Sequence, residues 1–289
     1  MTRVLAFCAA LILSVITVSS ACLATPATSL AFRLKAEPGS RVQLTLVADD
    51  RQHGDALSSS FASNELGGLD AVALSQAGQR PIRFALVREA GRVDCNGSGG
   101  GGAAMGQCAF TPDLAFAAML ESRGIGRPTA EQGFELAMVG ASRALVDALA
   151  AHRLPRPDVE KLIELAAVGV RPRFVSDLAA RGYTTSLDDL VQFAALDVSP
   201  AYIDALTGAG YRNLTADQLR QMAALHITPD FIQGFARIGY ANLPVDTLVE
   251  LKALEVTPDY VRTLERHGIH PASAQKLAEL KAVGLDGLK

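Results

Sequence analysis

Histidine and acidic side chains are the first to test for chemistry, because they supply general bases and metal ligands. His267 and His270 stand three residues apart, but the glycine between them ends a helix, and no cysteine or carboxylate at ligand spacing completes a zinc site. The segment 49–55 (DDRQHGD) gathers carboxylates around His53, a pattern that could hold a cation. An acidic surface loop explains the same residues more simply. We therefore expect no metal site and no cofactor.

The motifs of nucleophilic and phosphoryl-transfer enzymes do not occur in the sequence. The run GSGGGG at 97–102 is not followed by Lys and Ser or Thr, so we expect a hairpin tip rather than a phosphate loop. No serine lies in a GxSxG or SxxK context. A hydrolytic β-module would have to use the loop acids Asp49, Asp50, Asp55 and Glu65. The sequence predicts a protein that is not an enzyme.

Residues 1–24 carry the pattern of a signal peptide. Arg3 precedes a predominantly apolar run at 4–18, and small residues follow it. This run is shorter than the roughly 20 residues that a membrane-spanning helix needs, so a membrane anchor is the less favoured alternative. We expect cleavage after Ala24 or Ala27. The predicted location is periplasmic or secreted, with no membrane span after removal of the leader.

The four cysteines divide between the leader and the mature chain. Cys8 and Cys22 belong to the leader, and a lipid anchor at Cys22 is a weaker alternative, because Ser19 stands where a lipidation signal prefers leucine. Cys95 and Cys108 flank a turn-rich connection between two strand-like pieces, which a hairpin would bring together. Because an exported chain meets an oxidising compartment, we expect them to form a disulfide. Two free buried thiols are the alternative.

The charge balance disfavours nucleic acid as a partner. The chain has 27 Lys and Arg against 30 Asp and Glu. The segment 111–289 alone has 18 basic and 22 acidic residues, whereas a nucleic-acid-binding array should be basic. The absence of Trp and the 6% aromatic content also argue against an aromatic binding platform for sugars.

The sequence pattern of segment 25–110 predicts a β-rich module. In RVQLTLVA (41–48) and PIRFALV (81–87), apolar and polar residues alternate, as in strands with one buried face. Gly91 marks a turn between two such runs. We expect about five strands in a small antiparallel β-sandwich or open barrel.

The segment 111–289 repeats itself. Pro172, Pro200, Pro229 and Pro258 recur in similar surroundings, at separations of 28, 29 and 29 residues. Fainter copies place Arg143 at the same position, and Pro112 a further 31 residues earlier with a small insertion; a half copy closes the chain. Fixed periods of this size indicate stacked supersecondary units.

The pattern of each copy predicts two short helices. Pro172, Pro200, Pro229 and Pro258 suit the first helical position, where a missing N–H costs nothing, and Ser or Thr precedes three of them as a cap. Apolar residues recur on one side of both helices and form the predicted repeat core: Phe174, Leu178, Tyr202, Leu206, Phe231, Phe235, Tyr260, Leu264, Leu190, Leu219 and Leu248. Such pairs cannot bury their apolar sides alone, so the copies must stack. The predicted fold class is α+β in separate modules, the second an α-solenoid-like array of short helix pairs.

The repeats resemble those of uncharacterised exported bacterial proteins. The matching stretches are AVGVRPRFVSDLAARGY, LDVSPAYIDALTGAGY, LHITPDFIQGFARIGY and LEVTPDYVRTLERHGI. Similar arrays look to be attached to the outer part of some BlaR-type sensor metallopeptidases, and the β-rich stretch from RPIRFALV onward resembles a module that often precedes such arrays. The resemblance implies the architecture and no reaction; no HExxH motif occurs here. Cys108 departs from the usual residue of that module, which also favours the disulfide.

These patterns lead to a ranked set of functions. The first is a non-enzymatic exported interaction or scaffold protein that binds a peptide or protein partner in the cell envelope, because stacked repeats create an extended surface. A narrower version is a regulatory or sensory partner of an envelope signalling complex. A function of another class is a glycan-binding or hydrolytic β-module carried on a helical spacer.

Overall fold

The structure is a computed structural model that describes residues 28–48, 56–183, 186–271 and 273–284. The predicted signal peptide, Cys22 and the acidic loop around His53 lie outside the described residues, so the predictions made for them stay untested. The described strands are β1 (Thr28–Glu37), β2 (Arg41–Ala48), β3 (Ala56–Ala62), β4 (Leu66–Gly67), β5 (Arg80–Arg88), β6 (Gly91–Gly100) and β7 (Ala103–Pro112).

The predicted α+β layout is confirmed, and the β-rich module is one antiparallel sheet with strand order β3-β2-β1-β7-β6-β5-β4. The sheet has seven described strands where the sequence predicted about five. It curls into a half-barrel: Phe32 on β1 and Phe84 on β5 lie three strands apart in the sheet, yet their rings meet edge to face with centroids 5.1 Å apart. The sheet is open because β3 and β4, at the two ends of the strand order, do not pair with each other. The described strands form no second sheet, so the module is not a sandwich.

Burial alternates along the strands. Phe32, Leu34, Leu44 and Leu46 point to the concave side and are at most 2% exposed, whereas the residues between them face outward. Helices cover part of this concave side in place of a second sheet: α1 (Ala71–Ser75) and α3 (Ala130–Val139) both pack on β5, β6 and β7. Apolar side chains of the helices thus complete the core of the half-barrel.

The glycine run at 97–102 lies mostly within β6, which corrects the expected hairpin tip. Only Gly101 and Gly102 form the turn, with φ of 64° and 88°. Gly97 and Gly106 face each other across β6 and β7, and a Cβ on Gly97 would lie 2.1 Å from the Met105 carbonyl oxygen. The two strands approach so closely that only glycine fits.

Two charged side chains cover part of the free edge of β3. The Ser63 N–H donates to the Ser40 carbonyl at 2.9 Å. Because hydrogen-bonded and non-hydrogen-bonded residue pairs alternate along an antiparallel ladder, the backbone groups of Ser60 and Ala62 point away from β2. Arg41 donates to the Ser60 carbonyl at 2.9 Å, and the Ala62 N–H donates to Glu65 Oε1 at 3.0 Å. A further strand would need these same groups, so the edge is partly closed to pairing.

Twelve helices follow the sheet in the described part of the chain. They are α2 (Leu114–Ser122), α3 (Ala130–Val139), α4 (Arg143–Ala151), α5 (Val159–Ala167), α6 (Pro172–Ala179), α7 (Leu187–Ala195), α8 (Pro200–Gly208), α9 (Ala216–Ala224), α10 (Pro229–Ala236), α11 (Val245–Ala253), α12 (Pro258–Arg266) and α13 (Ala274–Ala282). They form six pairs. The second helices stack in one row, α3-α5-α7-α9-α11-α13, and α4, α6 and α8 contact one another along the other row.

The first pair corrects the predicted repeat register. Pro112 is the last residue of β7, and the side chain of Asp113 accepts a hydrogen bond from the Phe116 N–H and caps α2. Helix α2 therefore begins at Leu114, which is 29 residues before Arg143 at the start of α4. The insertion expected from aligning Pro112 does not exist.

The sheet and the array share one core. The Phe110 ring on β7 meets the Phe134 ring on α3 edge to face at 5.5 Å. Glu89, in the turn between β5 and β6, accepts a hydrogen bond from the Arg143 N–H at 3.0 Å and so caps α4 from outside. A continuous cluster of buried side chains runs from Leu30 in the sheet to Leu248 in α11.

Candidate functional site

The predicted core positions divide into two classes of burial. Seven aliphatic and aromatic side chains are fully buried: Leu178, Leu190, Leu206, Leu219, Phe235, Leu248 and Leu264. Phe174, Tyr202, Phe231 and Tyr260 are half-buried at the border of the core. The amines of Lys252 and Lys281 lie over the Phe231 and Tyr260 rings at 5.0 Å, so cations cover the exposed faces of these two rings.

The four prolines stand where the sequence predicted them. Pro172, Pro200, Pro229 and Pro258 are the first residues of α6, α8, α10 and α12. Ser199, Thr228 and Thr257 cap three of these helices through their side chains, whereas Arg171 before α6 makes no such bond. These residues build the repeats and present no reactive group.

Tyrosines that follow the glycine after α6, α8 and α10 join neighbouring repeats. Tyr183 donates its hydroxyl hydrogen to the Leu214 carbonyl at 2.9 Å, and Tyr211 donates to the Leu243 carbonyl at 2.6 Å. Tyr240 makes the same kind of bond to the Pro271 carbonyl at 2.8 Å. Each bond spans 31 or 32 residues and so ties one loop to the next. The Gly-Tyr spacing is visible in the sequence, but its role was not predicted.

Burial perturbs these phenols. Desolvation raises the pKa of Tyr183, Tyr211 and Tyr240, with a further increase for Tyr240 from the nearby Glu265 carboxylate. Tyr202 is the most affected: burial raises its pKa to about 12, and its hydroxyl donates to the Ile227 carbonyl at 2.8 Å. The four hydroxyls therefore stay protonated at neutral pH and act as hydrogen-bond donors.

Ion pairs also connect successive repeats in the first two thirds of the array. Arg181 makes a two-pronged pair with Asp204, at 2.9 and 2.6 Å, which lowers the pKa of the Asp204 carboxyl. Lys161 on α5 bonds Asp188 on α7 at 2.8 Å. The carboxylates of both pairs are largely exposed, so the pairs orient neighbouring repeats more than they stabilise the fold.

An apolar cleft interrupts the array between its first two repeats. It has a volume of about 450 Å³ and lies between helix α4 and the loops that follow α2 and α4. Ile125, Val146, Leu149 and Leu154 line it, with Pro157 at one side, and Arg123 and Arg156 also border it. Arg123 is engaged by Asp147. Among the described residues, Arg156 has no hydrogen-bonding or ionic partner.

The remaining candidates for chemistry are engaged or isolated. Glu65 accepts from the Ala62 N–H and pairs with Arg88 at 2.6 Å, so this predicted loop acid has a structural role. His267 and His270 are exposed. No cluster of three potential metal ligands occurs in the described residues. The Sγ atoms of Cys95 and Cys108 lie at disulfide-bonding distance on directly opposed positions of β6 and β7.

Comparison with models of protein families, with curated proteins and with solved structures finds no match to this chain. The resemblance to exported repeat proteins therefore stays a prediction. Within the described part of the chain, no helix has the length and hydrophobicity required to cross a bilayer.

Proposed function

We propose that the protein is a non-enzymatic, exported interaction protein whose helix array binds a peptide or protein partner in the cell envelope. The observation that carries this proposal is the series of tyrosine–carbonyl bonds from Tyr183, Tyr211 and Tyr240. They hold successive repeats in fixed relation, so that the array offers a preorganised surface. A preorganised surface binds with less loss of conformational entropy.

The experiment is site-specific photo-crosslinking in the producing bacterium. In two separate variants, a photoreactive amino acid replaces one exposed alanine, either Ala205 on α8 or Ala224 on α9, so that each row of the array carries one probe. A third variant carries the same photoreactive amino acid at the exposed Val87 on the outer side of the sheet and serves as the control. We expect one defined adduct from an array position and none from Val87. Adducts from Val87 alone, or none above background from any position, would contradict the proposal.

A second candidate is binding of an acidic glycan by the outer face of the sheet. A groove of about 500 Å³ crosses β1, β2 and β7, and Arg33, Lys35 and Met105 line it. Neither Arg33 nor Lys35 forms an ion pair with a described residue. No aromatic side chain lines the groove, so charge rather than ring stacking would hold a sugar chain.

The glycan proposal is tested with polygalacturonate as the probe. We expect salt-sensitive binding that the double variant Arg33→Gln, Lys35→Gln abolishes, measured by calorimetry at low ionic strength. Arg173→Gln, which changes an exposed cation on the array, is the control. Equal binding by both variants would exclude the groove as the site.

A further inference from the structure

We propose that the cleft beside Ile125 receives a tyrosine side chain from an acidic segment of the partner. This inference rests on the proposed function and names the chemistry of the bound segment. The cleft is open between the first two repeats, whereas in the loops after α6, α8 and α10 a tyrosine of the chain itself fills the corresponding position.

Ile125 occupies the position of the bonding tyrosines. It follows Gly124, which has a φ of 71°, just as Tyr183 follows Gly182 with a φ of 81°. The Ile125 N–H donates to the Leu120 carbonyl at 3.0 Å, and the Tyr183 N–H makes the same bond to Leu178 at the same distance. The backbone therefore follows the same path at these two positions, and the side chains at 125 and 183 differ.

The acceptor also has its counterpart. Leu214, which accepts from Tyr183, directly precedes Thr215, the cap of α9; Pro157 directly precedes Asp158, the cap of α5. Pro157 lines the cleft, and its carbonyl accepts no hydrogen bond from the described residues. An isoleucine at 125 is too short to reach it and has no hydroxyl.

The lining of the cleft therefore suits a phenol. Three later loops hold a partly buried tyrosine ring against the hydrophobic core, with its hydroxyl on a carbonyl of the corresponding loop in the next repeat. The cleft offers buried apolar side chains for a ring in Val146, Leu149 and Leu154, which are at most 9% exposed. A ring supplied by another chain would gain both the apolar contact and the hydrogen bond.

The charge at the rim selects the residues next to that tyrosine. Arg156 lies against Gly124, where a Cβ would come within 2.5 Å of its Nη1 atom, so its guanidinium stands beside the residue that precedes Ile125. Asp147 at the same rim is already bound to Arg123. Since Arg156 is the cation left without a partner there, a carboxylate beside the tyrosine would find a complementary charge.

The test uses the mature full chain and four probes: p-cresol and the blocked peptides Glu-Tyr-Glu, Glu-Phe-Glu and Lys-Tyr-Lys. Methyl NMR spectra would follow the signals of Ile125 and Leu154. We expect p-cresol and Glu-Tyr-Glu to shift these methyls, with the tyrosine peptide binding more tightly than the other two. Shifts that map elsewhere would overturn the inference.

The decisive variant is Ile125→Tyr, which supplies the ring from within the chain. We expect its melting temperature to rise by about 2 to 4 °C, its added phenol to titrate above pH 10 and its binding of both tyrosine probes to disappear. Ala144→Tyr adds a tyrosine to an exposed position of α4 outside the cleft and should change none of these. An Ile125→Tyr protein that still binds the probes as wild type does, or whose new phenol titrates like an exposed one, contradicts the inference.

Arg156→Gln tests the rim without filling the cleft. We expect about fivefold weaker binding of Glu-Tyr-Glu and unchanged binding of p-cresol, since an exposed ion pair contributes no more than this. Unchanged binding of both probes would show that Arg156 does not select an acidic segment.

Failure of the two proposals can be told apart. If Ile125→Tyr still gives the partner adduct, the function stands and the cleft is not its site. If the probes bind the cleft but no adduct forms, the envelope function fails while the tyrosine site stands.

Discussion

At the scale of single residues, the tyrosine in the loop after α6, α8 or α10 combines burial with one hydrogen bond to the neighbouring repeat. The bond from Tyr211 to Leu243 is the shortest of the three, at 2.6 Å. A phenol in this position contributes its ring to the core and its hydroxyl to the link between loops. Removing only the oxygen therefore separates the two contributions.

We expect Tyr211→Phe to lower the free energy of unfolding by about 1 kcal/mol, because the ring still packs but the bond to the Leu243 carbonyl is lost. Urea unfolding followed by circular dichroism measures the change. Val283→Ala, which truncates a residue that is 75% exposed, is the control and should have little effect. Equal stabilities for Tyr211→Phe and wild type would mean that water replaces the hydroxyl without loss.

The buried phenols of the array predict loss of stability in alkali. Tyr202, whose pKa is about 12 in the fold and 10.0 when exposed, stabilises the fold fully below pH 10, and this contribution is lost as the pH rises toward 12. All five tyrosines lie in the array and the chain has no tryptophan, so absorbance at 295 nm reports on the array alone. We expect ionisation to coincide with loss of helical signal; ionisation near pH 10 with the helices intact would show exposed phenols.

The disulfide belongs to this scale as well. Its two cysteines are 13 residues apart, and closing a loop of this size stabilises a fold by about 3 kcal/mol. We expect dithiothreitol to lower the denaturation midpoint of wild type and to leave the Cys95→Ala, Cys108→Ala variant unchanged. An identical midpoint for wild type with and without the reductant would mean that the bond does not form.

At the scale of elements, the turn that ends each second helix uses one left-handed residue, and its identity changes along the array. Gly140 and Gly169 hold this position after α3 and α5, with φ of 70° and 88°. Asp197, His226 and Glu255 hold it after α7, α9 and α11, with φ of 53° to 55°. Residues with a Cβ are less stable in this conformation than glycine, and only Asn and Asp tolerate it readily.

We therefore expect Glu255→Gly to raise the free energy of unfolding by about 0.5 to 1 kcal/mol, because the left-handed strain of about 1 to 2 kcal/mol on a residue with a Cβ exceeds the additional chain entropy that glycine loses on folding. Gly169→Ala is the reciprocal change and should lower it by a similar amount, although nothing lies within 4 Å of the added Cβ. Thermal unfolding of both variants measures the difference. A destabilised Glu255→Gly protein would show that the Glu255 side chain stabilises the fold by more than the left-handed backbone strain costs.

The elements also show what a sequence can and cannot reveal. Pro200, Pro229 and Pro258 start helices as predicted, because local caps and fixed backbone angles decide helix starts. The register of the first copy was wrong, since Pro112 matched the repeat pattern while Asp113 provides the actual cap. The cleft at Ile125 could not be predicted: it depends on a missing ring and on the next loop, 32 residues away, and neither is visible until the loops are placed side by side.

At the scale of the whole molecule, the buried side chains separate into two clusters of unequal size. The larger one joins the sheet to most of the array, and the smaller one comprises Phe235, Leu251, Val256, Val261, Leu264, Ala274, Leu277 and Ala278. Only partly buried residues such as Phe231 and Leu243 pack against both. In addition, the ion pair Arg262–Asp259 lies within α12 and the ion pair Lys276–Glu279 lies within α13.

This division predicts that the last repeats open first. We expect amides of α12 and α13 to exchange hydrogen through local opening of lower free energy than amides of α5 and α7. Leu277→Ala should cost about 2 to 5 kcal/mol and accelerate exchange only in the distal helices. Leu165→Ala, at an equally buried position of α5, should accelerate exchange everywhere. Uniform exchange in wild type would mean that the array opens as one unit.

Two contacts join the sheet to the array: the one between the Phe110 and Phe134 rings, and the cap that Glu89 gives to α4. They restrict where such a chain can gain or lose residues over evolution. A break after Pro112 falls where the composition changes, yet it would leave aromatic surface of both halves in contact with water. Gain or loss of copies is tolerated far better beyond α11, where little of the main core is disturbed. Recombination should therefore spare the sheet and its adjoining helices as one heritable block and vary the tail.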